Sequence, residues 1–196
     1  MDCSRKEAIA LREAPLGASR VSKHRLTVKW SAGVATFRDS GLVDGYLGGI
    51  GYEYCGYSSS AGLHLINKSD GDVFTGVLLS QATGKIMAAG KSVMFAPDMS
   101  YFATAQPDGL DGEEWFVYSP TGVRRWKGLS GISAKHPTLK YNYFIATLEE
   151  PHWSANGELQ ATLKCSGGSQ SPTVVTLRQQ NKAWTWLPTV ACKPAE

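Results

Sequence analysis

The sequence lacks long hydrophobic runs and a strong net charge. No run approaches the roughly 18 apolar residues that a membrane span needs, so we expect no spanning helix. The net charge is only +3, which argues against nucleic acid, because a nucleic-acid-binding domain carries a clustered basic patch. No secretory hydrophobic segment is present either. We therefore predict a protein that binds neither nucleic acid nor the interior of a bilayer.

The familiar spacings of catalytic and metal sites are also missing. The cysteines form no C-x-x-C pair, the histidines show neither H-x-H nor H-E-x-x-H spacing, and no G-x-S-x-G motif occurs. The segment GYLGGIG (45–51) has the glycines of a dinucleotide-binding loop but no helical pattern after it. We predict no enzymatic activity, no cofactor and no metal. A hydrolase whose triad assembles only in three dimensions is the enzymatic alternative.

Four widely spaced cysteines indicate disulfides. Among the three pairings we favour Cys3–Cys55 and Cys165–Cys192, because Cys165 ends a predicted strand and Cys192 follows the last one. Four buried free thiols in a cytosolic protein are the alternative. The start, MDCSRKEAIALREA, is interpreted as a mature sequence with an initiator Met added after removal of a signal peptide. We therefore expect a periplasmic or secreted protein.

Local patterns predict a short helix followed by strands. Ser4 and Glu7 have the spacing of a capping box, and the segments after residue 20 alternate apolar and polar residues between Gly, Asn and Asp turns. In one such segment His64 alternates with Leu63 and Leu65, which predicts an exposed or half-satisfied imidazole on the opposite face. The elements of a single all-β domain, 1–196, are a helix over 4–16, a leading hairpin and Gly/Tyr-rich strand over 24–60, and meanders over 61–190.

Two pairs of segments repeat within the chain. VLLSQATGKIMAAG (77–90) matches WFVYSPTGVRRWKG (115–128) in its two apolar strands and Thr-Gly turn. VMFAPDMSYFATAQ (93–106) matches PHWSANGELQATLK (151–164) in its aromatic residue, Asp or Asn turn and following strand. Repeated four-stranded units of this kind are typical of propeller blades.

FAPDMSYFATA resembles the F-S-P-D-G-x-x-[IL]-A blade signature of WD40-like and TolB-like β-propellers, with Ala96 and Met99 in place of its Ser and Gly. The resemblance covers about 90–190, roughly half of the chain. It implies antiparallel, blade-like meanders whose turns are fixed by Asp or Asn, in a small or partial propeller. A β-sandwich of such meanders is the alternative. The resemblance implies a binding platform and no particular chemistry.

The acidic segment QPDGLDGEEW (106–115) interrupts a mildly basic chain. Residues 61–120 carry seven acidic against three basic side chains, whereas residues 1–40 carry four against eight. An acidic surface can speed association with a basic partner. A solvated hairpin turn and an irregular calcium site are the alternatives. The predicted partner-binding residues are the four carboxylates and two nearby aromatic side chains: Asp108, Asp111, Glu113, Glu114, Trp115 and Tyr101.

These features together predict a non-catalytic periplasmic binding protein. An exported chain with an acidic projection and no active site suits an immunity or inhibitor protein. Its partner would be another protein, a cognate bacterial toxin with a basic cleft. A calcium- or ligand-binding accessory β-domain is the alternative function.

Overall fold

The computed structural model confirms the prediction of an all-β protein. It describes residues 1–41, 49–71, 73–107, 112–135, 142–166, 170–181 and 183–192. No helix in these ranges is long and apolar enough to cross a membrane. The elements are α1 (Glu7–Arg12), β1 (Ala18–Ser22), β2 (Arg25–Trp30), β3 (Gly33–Arg38), β4 (Ser40–Gly41), β5 (Gly49–Ser58), β6 (Leu63–Asp70), β7 (Val73–Ser80), β8 (Ile86–Ala89), β9 (Ser92–Phe95), β10 (Phe102–Pro107), β11 (Glu113–Tyr118), β12 (Arg124–Leu129), β13 (Gly131–Lys135), β14 (Asn142–Trp153), β15 (Leu159–Cys165), β16 (Thr173–Gln180) and β17 (Ala183–Leu187).

Each sheet consists of strands that are consecutive in the sequence, and neighbours in the sequence are neighbours in the sheet. The sheets are β1–β3, β4–β8, β9–β12 and β13–β17. Neighbours within the first, second and fourth sheets pair antiparallel, as β11 and β12 do in the third. Each sheet is therefore an antiparallel meander of the kind predicted. The resemblance to propeller blades, like the single-domain assignment, stays a prediction.

The chain groups into two compact units. Unit 1 comprises Met1–Val93 and Thr104–Gly109, and unit 2 comprises Met94–Ala103 and Leu110–Glu196. The core of unit 1 joins α1 to β2, β3, β5, β6 and β7 through seven buried side chains: Ala10, Leu26, Val28, Phe37, Tyr54, Ile66 and Leu79.

The helix is shorter than predicted, and its capping box does not form. α1 spans Glu7–Arg12 instead of 4–16, its N-cap is Lys6, and no side chain caps it. The amide and hydroxyl of Ser4 bond to Asp2 Oδ1 at 3.0 and 2.5 Å. Glu7 does not reach back to Ser4, because its carboxylate accepts the Tyr54 backbone N–H at 2.8 Å. A tertiary contact thus replaces the local one.

Charged side chains cover the open edge of β5. β4 pairs only with the first two residues of β5, Gly49 and Ile50. The backbone N–H and C=O groups further along this edge of β5 therefore need other partners. Asp39 Oδ1 accepts the Tyr52 N–H at 2.9 Å, and Arg20 donates to the Tyr52 carbonyl. Arg20 also pairs with Glu7 at 3.0 Å and with Asp39 at 3.5 Å. This ionic cluster joins α1, β1 and β5.

The two disulfides are the predicted ones. Cys3 is bonded to Cys55 and Cys165 to Cys192, with sequence separations of 52 and 27. In the chain-entropy model, closing loops of these lengths lowers the conformational entropy of the unfolded chain. The two bridges thereby stabilise the folded state by about 4 and about 3.5 kcal/mol, respectively. The first bridge fixes the segment before α1 to β5. The second fixes the segment after β17 to the end of β15.

His64 is buried with a hydrogen-bond partner for each ring nitrogen, contrary to the prediction of an exposed or half-satisfied imidazole. Alternation predicts exposure only where one face of a strand is in water. β6 lies between β5 and β7, and His64 has 0% exposure beside buried Leu63 and Leu65. Its Nδ1 is 2.8 Å from the Tyr54 hydroxyl, and its Nε2 is 2.5 Å from Gln81 Oε1.

The repeated segments fold into matching turns. In the segment 93–106 the Met99 N–H donates to the Ala96 carbonyl at 2.9 Å. In its repeat, 151–164, the Gly157 N–H donates to the Ser154 carbonyl at 3.0 Å. The fourth residue of each turn has positive φ, 57° at Met99 and 75° at Gly157. Met99 therefore takes the left-handed conformation that the blade signature assigns to Gly. Its turn also contains Asp98, whose Oδ1 accepts the Ser100 N–H and hydroxyl at 3.0 and 2.7 Å.

Candidate functional site: an aromatic cleft in unit 2

Only part of the acidic segment falls within the described structure, because Asp108 and Asp111 lie outside it. Glu113 is exposed at the start of β11, and its backbone N–H and carbonyl both bond to Ser130, at 3.0 and 2.8 Å. Glu114 is partly buried and forms an ion pair with Lys127. The charge of Glu114 is therefore balanced locally, whereas Glu113 is exposed and its Oε2 accepts a hydrogen bond from Trp115.

The two predicted aromatic anchors have different environments. Trp115 is only 2% exposed, its ring packs edge-on against Trp186 at 6.1 Å, and its Nε1–H donates to Glu113 Oε2 at 3.0 Å. Trp115 thus belongs to the interior of unit 2. Tyr101 is partly exposed and lies at a cleft in the same unit. Of the two predicted anchors, Tyr101 is therefore the one that is accessible to a partner.

The aromatic cleft is a cavity of about 290 Å³ beside Tyr101. This volume is just below the range of about 300–1,000 Å³ that is typical of ligand sites. Its polar and aromatic border consists of Tyr101, Trp153, Trp184 and Gln179, its apolar floor of Val117, Leu159 and Leu177, and its margin of Gly157, Glu158 and Arg178.

Strand register explains why the aromatic side chains meet. Leu177 pairs with Trp186 and Gln179 with Trp184 across β16 and β17. Residues two apart in a strand share a face, so both tryptophans lie on the same side as Leu177. Trp153 pairs with Leu159 across β14 and β15. The repeated Asp98 turn adds Tyr101 to this group.

The aromatic rings are held by contacts that limit their movement. The Trp153 Nε1–H donates to the Met94 carbonyl at 3.0 Å. The rings of Tyr101 and Trp184 meet edge-on with centroids 6.4 Å apart. Behind them, Trp186 contacts Trp126 edge-on at 5.9 Å. Edge-to-face packing at these distances is favourable for aromatic pairs, so the cleft is preformed.

Two carboxylates stand near the cleft in different roles. Glu158 accepts a bidentate pair from Arg178 at 2.9 and 3.2 Å. Arg178 also lines the cleft, and this pair balances its charge. Asp98 is exposed, and its hydrogen bonds from Ser100 hold the pKa of its carboxyl below the ordinary value. Asp98 is therefore a charged carboxylate that no cation neutralises within the described residues.

Of the aromatic residues that line this cleft, only Tyr101 was predicted from the sequence. Tyr101 was predicted as an anchor because it lies near the acidic segment, whereas Trp153, Trp184 and Asp98 were not selected. A signal was available: Asp98 and Trp153 both belong to the repeated turn segments, and Trp184 alternates with another tryptophan in AWTWLP. What the sequence did not supply is the register that brings β14 and β17 beside the turn.

The described residues offer little for metal or nucleophile chemistry. No group of three or more His, Cys, Asp or Glu in these ranges could hold a metal ion. His64 is enclosed by Tyr54 and Gln81, and His152 Nδ1 lies 2.9 Å from the Glu150 carbonyl. His136 lies outside the described residues.

Comparison with known proteins does not assign the chain to a family. No protein-family model matches it, no curated protein matches it, and no solved structure matches it.

Proposed function

We propose that this chain is a non-catalytic binding protein of the periplasm or the cell exterior that neutralises a secreted bacterial toxin by protein–protein contact. Two disulfides fit an oxidising compartment. They also support a chain that has to persist outside the cytoplasm, because each bridge restricts the unfolded state.

The observation that carries the proposal is the aromatic cleft. Residues that dominate binding energy at protein interfaces are enriched in Trp, Tyr and Arg and lie in preformed pockets. The cleft presents Tyr101, Trp153 and Trp184 around one cavity, each partly exposed. A soluble protein without a partner gains nothing from leaving three large aromatic side chains at a concave surface, whereas a partner that covers them removes apolar area from water.

The acidic residues have a supporting role in this proposal. Glu113 is the exposed carboxylate of the segment in the described structure. Rim charges of this kind mainly raise the association rate and its dependence on salt. We therefore assign the strength of the complex to the cleft, and the speed of its formation to the acidic segment.

The test is a neutralisation assay with the secreted protein that is encoded next to this chain in its native host. The wild-type chain and a Trp184→Leu variant are each co-expressed with that protein, and survival of the host cells is measured. Trp126→Leu is the matched control, because Trp126 is also a partly buried tryptophan of unit 2 but does not border the cleft.

We expect the wild-type chain and Trp126→Leu to protect the cells, and Trp184→Leu to protect them poorly. Killing at the full rate in the presence of wild-type chain would contradict the neutralisation proposal. Equal protection by both variants would support neutralisation but would show that the cleft is not the surface that contacts the toxin.

A further inference from the structure

We propose that the aromatic cleft receives the cationic side chain of a lysine or arginine from the partner protein. The inference rests on the proposed function and specifies the chemistry by which the partner is recognised. It follows from three observations: the aromatic rings that line the cleft, a carboxylate next to the lining residue Gly157, and an apolar floor.

The ring faces provide the first part of the argument. Aromatic rings carry a negative face and a positive edge, so their faces attract cations and disfavour anions. Tyr101, Trp153 and Trp184 border one cavity of about 290 Å³. Tyr101 and Trp184 meet edge-to-face, so the contact between them covers one face of only one of the two rings. Several rings around one small cavity form the arrangement that binds ammonium groups in aromatic cages.

Asp98 supplies the charge complement. Both hydrogen bonds from Ser100 go to its Oδ1, which leaves Oδ2 for another donor. A Cβ atom built on Gly157 would lie 3.7 Å from both Asp98 oxygens, and Gly157 borders the cleft. The Asp98 carboxylate is therefore adjacent to Gly157, which is a residue of the cleft lining. A charge-assisted bond to this oxygen would be among the stronger contacts of the complex.

The other charged pair near the cleft does not oppose a cation. Arg178 lines the margin of the cleft, but its guanidinium is engaged in a bidentate pair with Glu158, so the adjacent carboxylate balances its positive charge. The floor of Val117, Leu159 and Leu177 suits the methylene stem of a lysine or arginine, which packs on apolar surface while its charged end meets polar groups. An inserted carboxylate would face the rings and Asp98, which both repel it.

Short peptides test the cleft chemistry without the partner. The probes are acetyl-Gly-Lys-Gly-amide and acetyl-Gly-Arg-Gly-amide, with acetyl-Gly-norleucine-Gly-amide as the uncharged control of nearly equal length. Binding is followed by NMR through the indole N–H signals of Trp153 and Trp184. We expect both signals to shift with the basic peptides, which should bind about 5- to 30-fold more tightly than the norleucine peptide. The Trp126 signal should move least.

Asp98→Asn is the decisive variant, because its side-chain oxygen can still accept both bonds from Ser100 while the charge is removed. We expect it to lower the affinity for the basic peptides severalfold and to leave norleucine binding unchanged. Equal binding of the norleucine and lysine peptides would overturn the inference. The inference would also be overturned if no peptide binds while neutralisation still depends on Trp184. In that case the proposed function would remain in place. Peptides that bind, together with an unaffected toxin, would contradict the function instead.

Discussion

Acidification should destabilise unit 1 through His64. The imidazole is 0% exposed, and burial lowers its pKa below the ordinary value of 6.5, while the hydrogen bond with Gln81 partly opposes this shift. Its polar neighbours are the Tyr54 hydroxyl and Gln81, with the Tyr57 ring 4.8 Å from its own. Burial raises the pKa of Tyr54, so its neutral hydroxyl donates to Nδ1 and the His64 Nε2–H donates to Gln81. None of these groups balances a positive charge.

The sign of the effect follows from proton linkage. Because the folded-state pKa of His64 lies below the unfolded-state pKa, the unfolded chain binds a proton first as the pH falls. The His64 contribution to stability is complete above pH 6.5 and is lost as the pH falls from there toward the lowered folded-state pKa. One proton of difference changes the free energy of unfolding by at most about 1.4 kcal/mol per pH unit. For a chain of this length, that corresponds to roughly 3–6 °C in the melting temperature per pH unit.

The assay is thermal unfolding of the wild-type chain and His64→Gln between pH 7.5 and 5. His152→Gln is the control, because His152 is exposed. We expect His64→Gln to be less stable at pH 7.5 and to show a flatter dependence on pH, and His152→Gln to follow the wild type. Parallel curves for the wild type and His64→Gln over this interval would refute the reasoning.

Three further predictions concern stability. Met99→Gly should raise the free energy of unfolding by about 0.5–1 kcal/mol, because the left-handed backbone at this position strains any residue with a Cβ; a lower urea midpoint would contradict this. Replacing both Cys165 and Cys192 with Ser should lower the free energy of unfolding by about 3–4 kcal/mol in urea titrations, and an unchanged midpoint would show that the bridge does not restrict the unfolded chain. Glu7→Gln keeps an acceptor for the backbone of β5 but removes the main charge partner of Arg20. We therefore expect the free energy of unfolding, measured by thermal unfolding, to fall by about 1–2 kcal/mol. An unchanged free energy of unfolding would show that Glu7 stabilises the fold through its hydrogen bond alone.

Local sequence chemistry was sufficient to predict much of the fold. Alternating short segments predicted antiparallel strands, and the positions of Cys165 and Cys192 relative to the last strands predicted their bridge. The resemblance to a blade signature also implied turns at Asp98 and Asn156, and the residues that follow them adopt positive φ. These features depend on contacts between residues that are near in sequence, or on a covalent bond with few alternatives.

The errors arose where tertiary contacts replaced local ones. Glu7 had the spacing of a capping-box residue, yet it bonds to the backbone of β5, which is 47 residues away in the sequence. His64 alternated with leucines as an exposed residue would, yet β6 lies in the middle of its sheet and is buried on both faces. The aromatic cleft depends on the register of four strands, and neither composition nor spacing specifies a register. For these reasons the sequence identified Tyr101 but not the group of side chains to which it belongs.

The most direct test of the central claim is the dissociation constant of the complex between this chain and the neighbouring secreted protein, measured by calorimetry for the wild type, Trp184→Leu and Trp126→Leu. Truncation of a central aromatic anchor at an interface commonly costs 2 kcal/mol or more, which is about a 30-fold loss of affinity. We predict at least this loss for Trp184→Leu and less than a threefold change for Trp126→Leu. Equal affinities for all three proteins would show that the aromatic cleft is not the contact site.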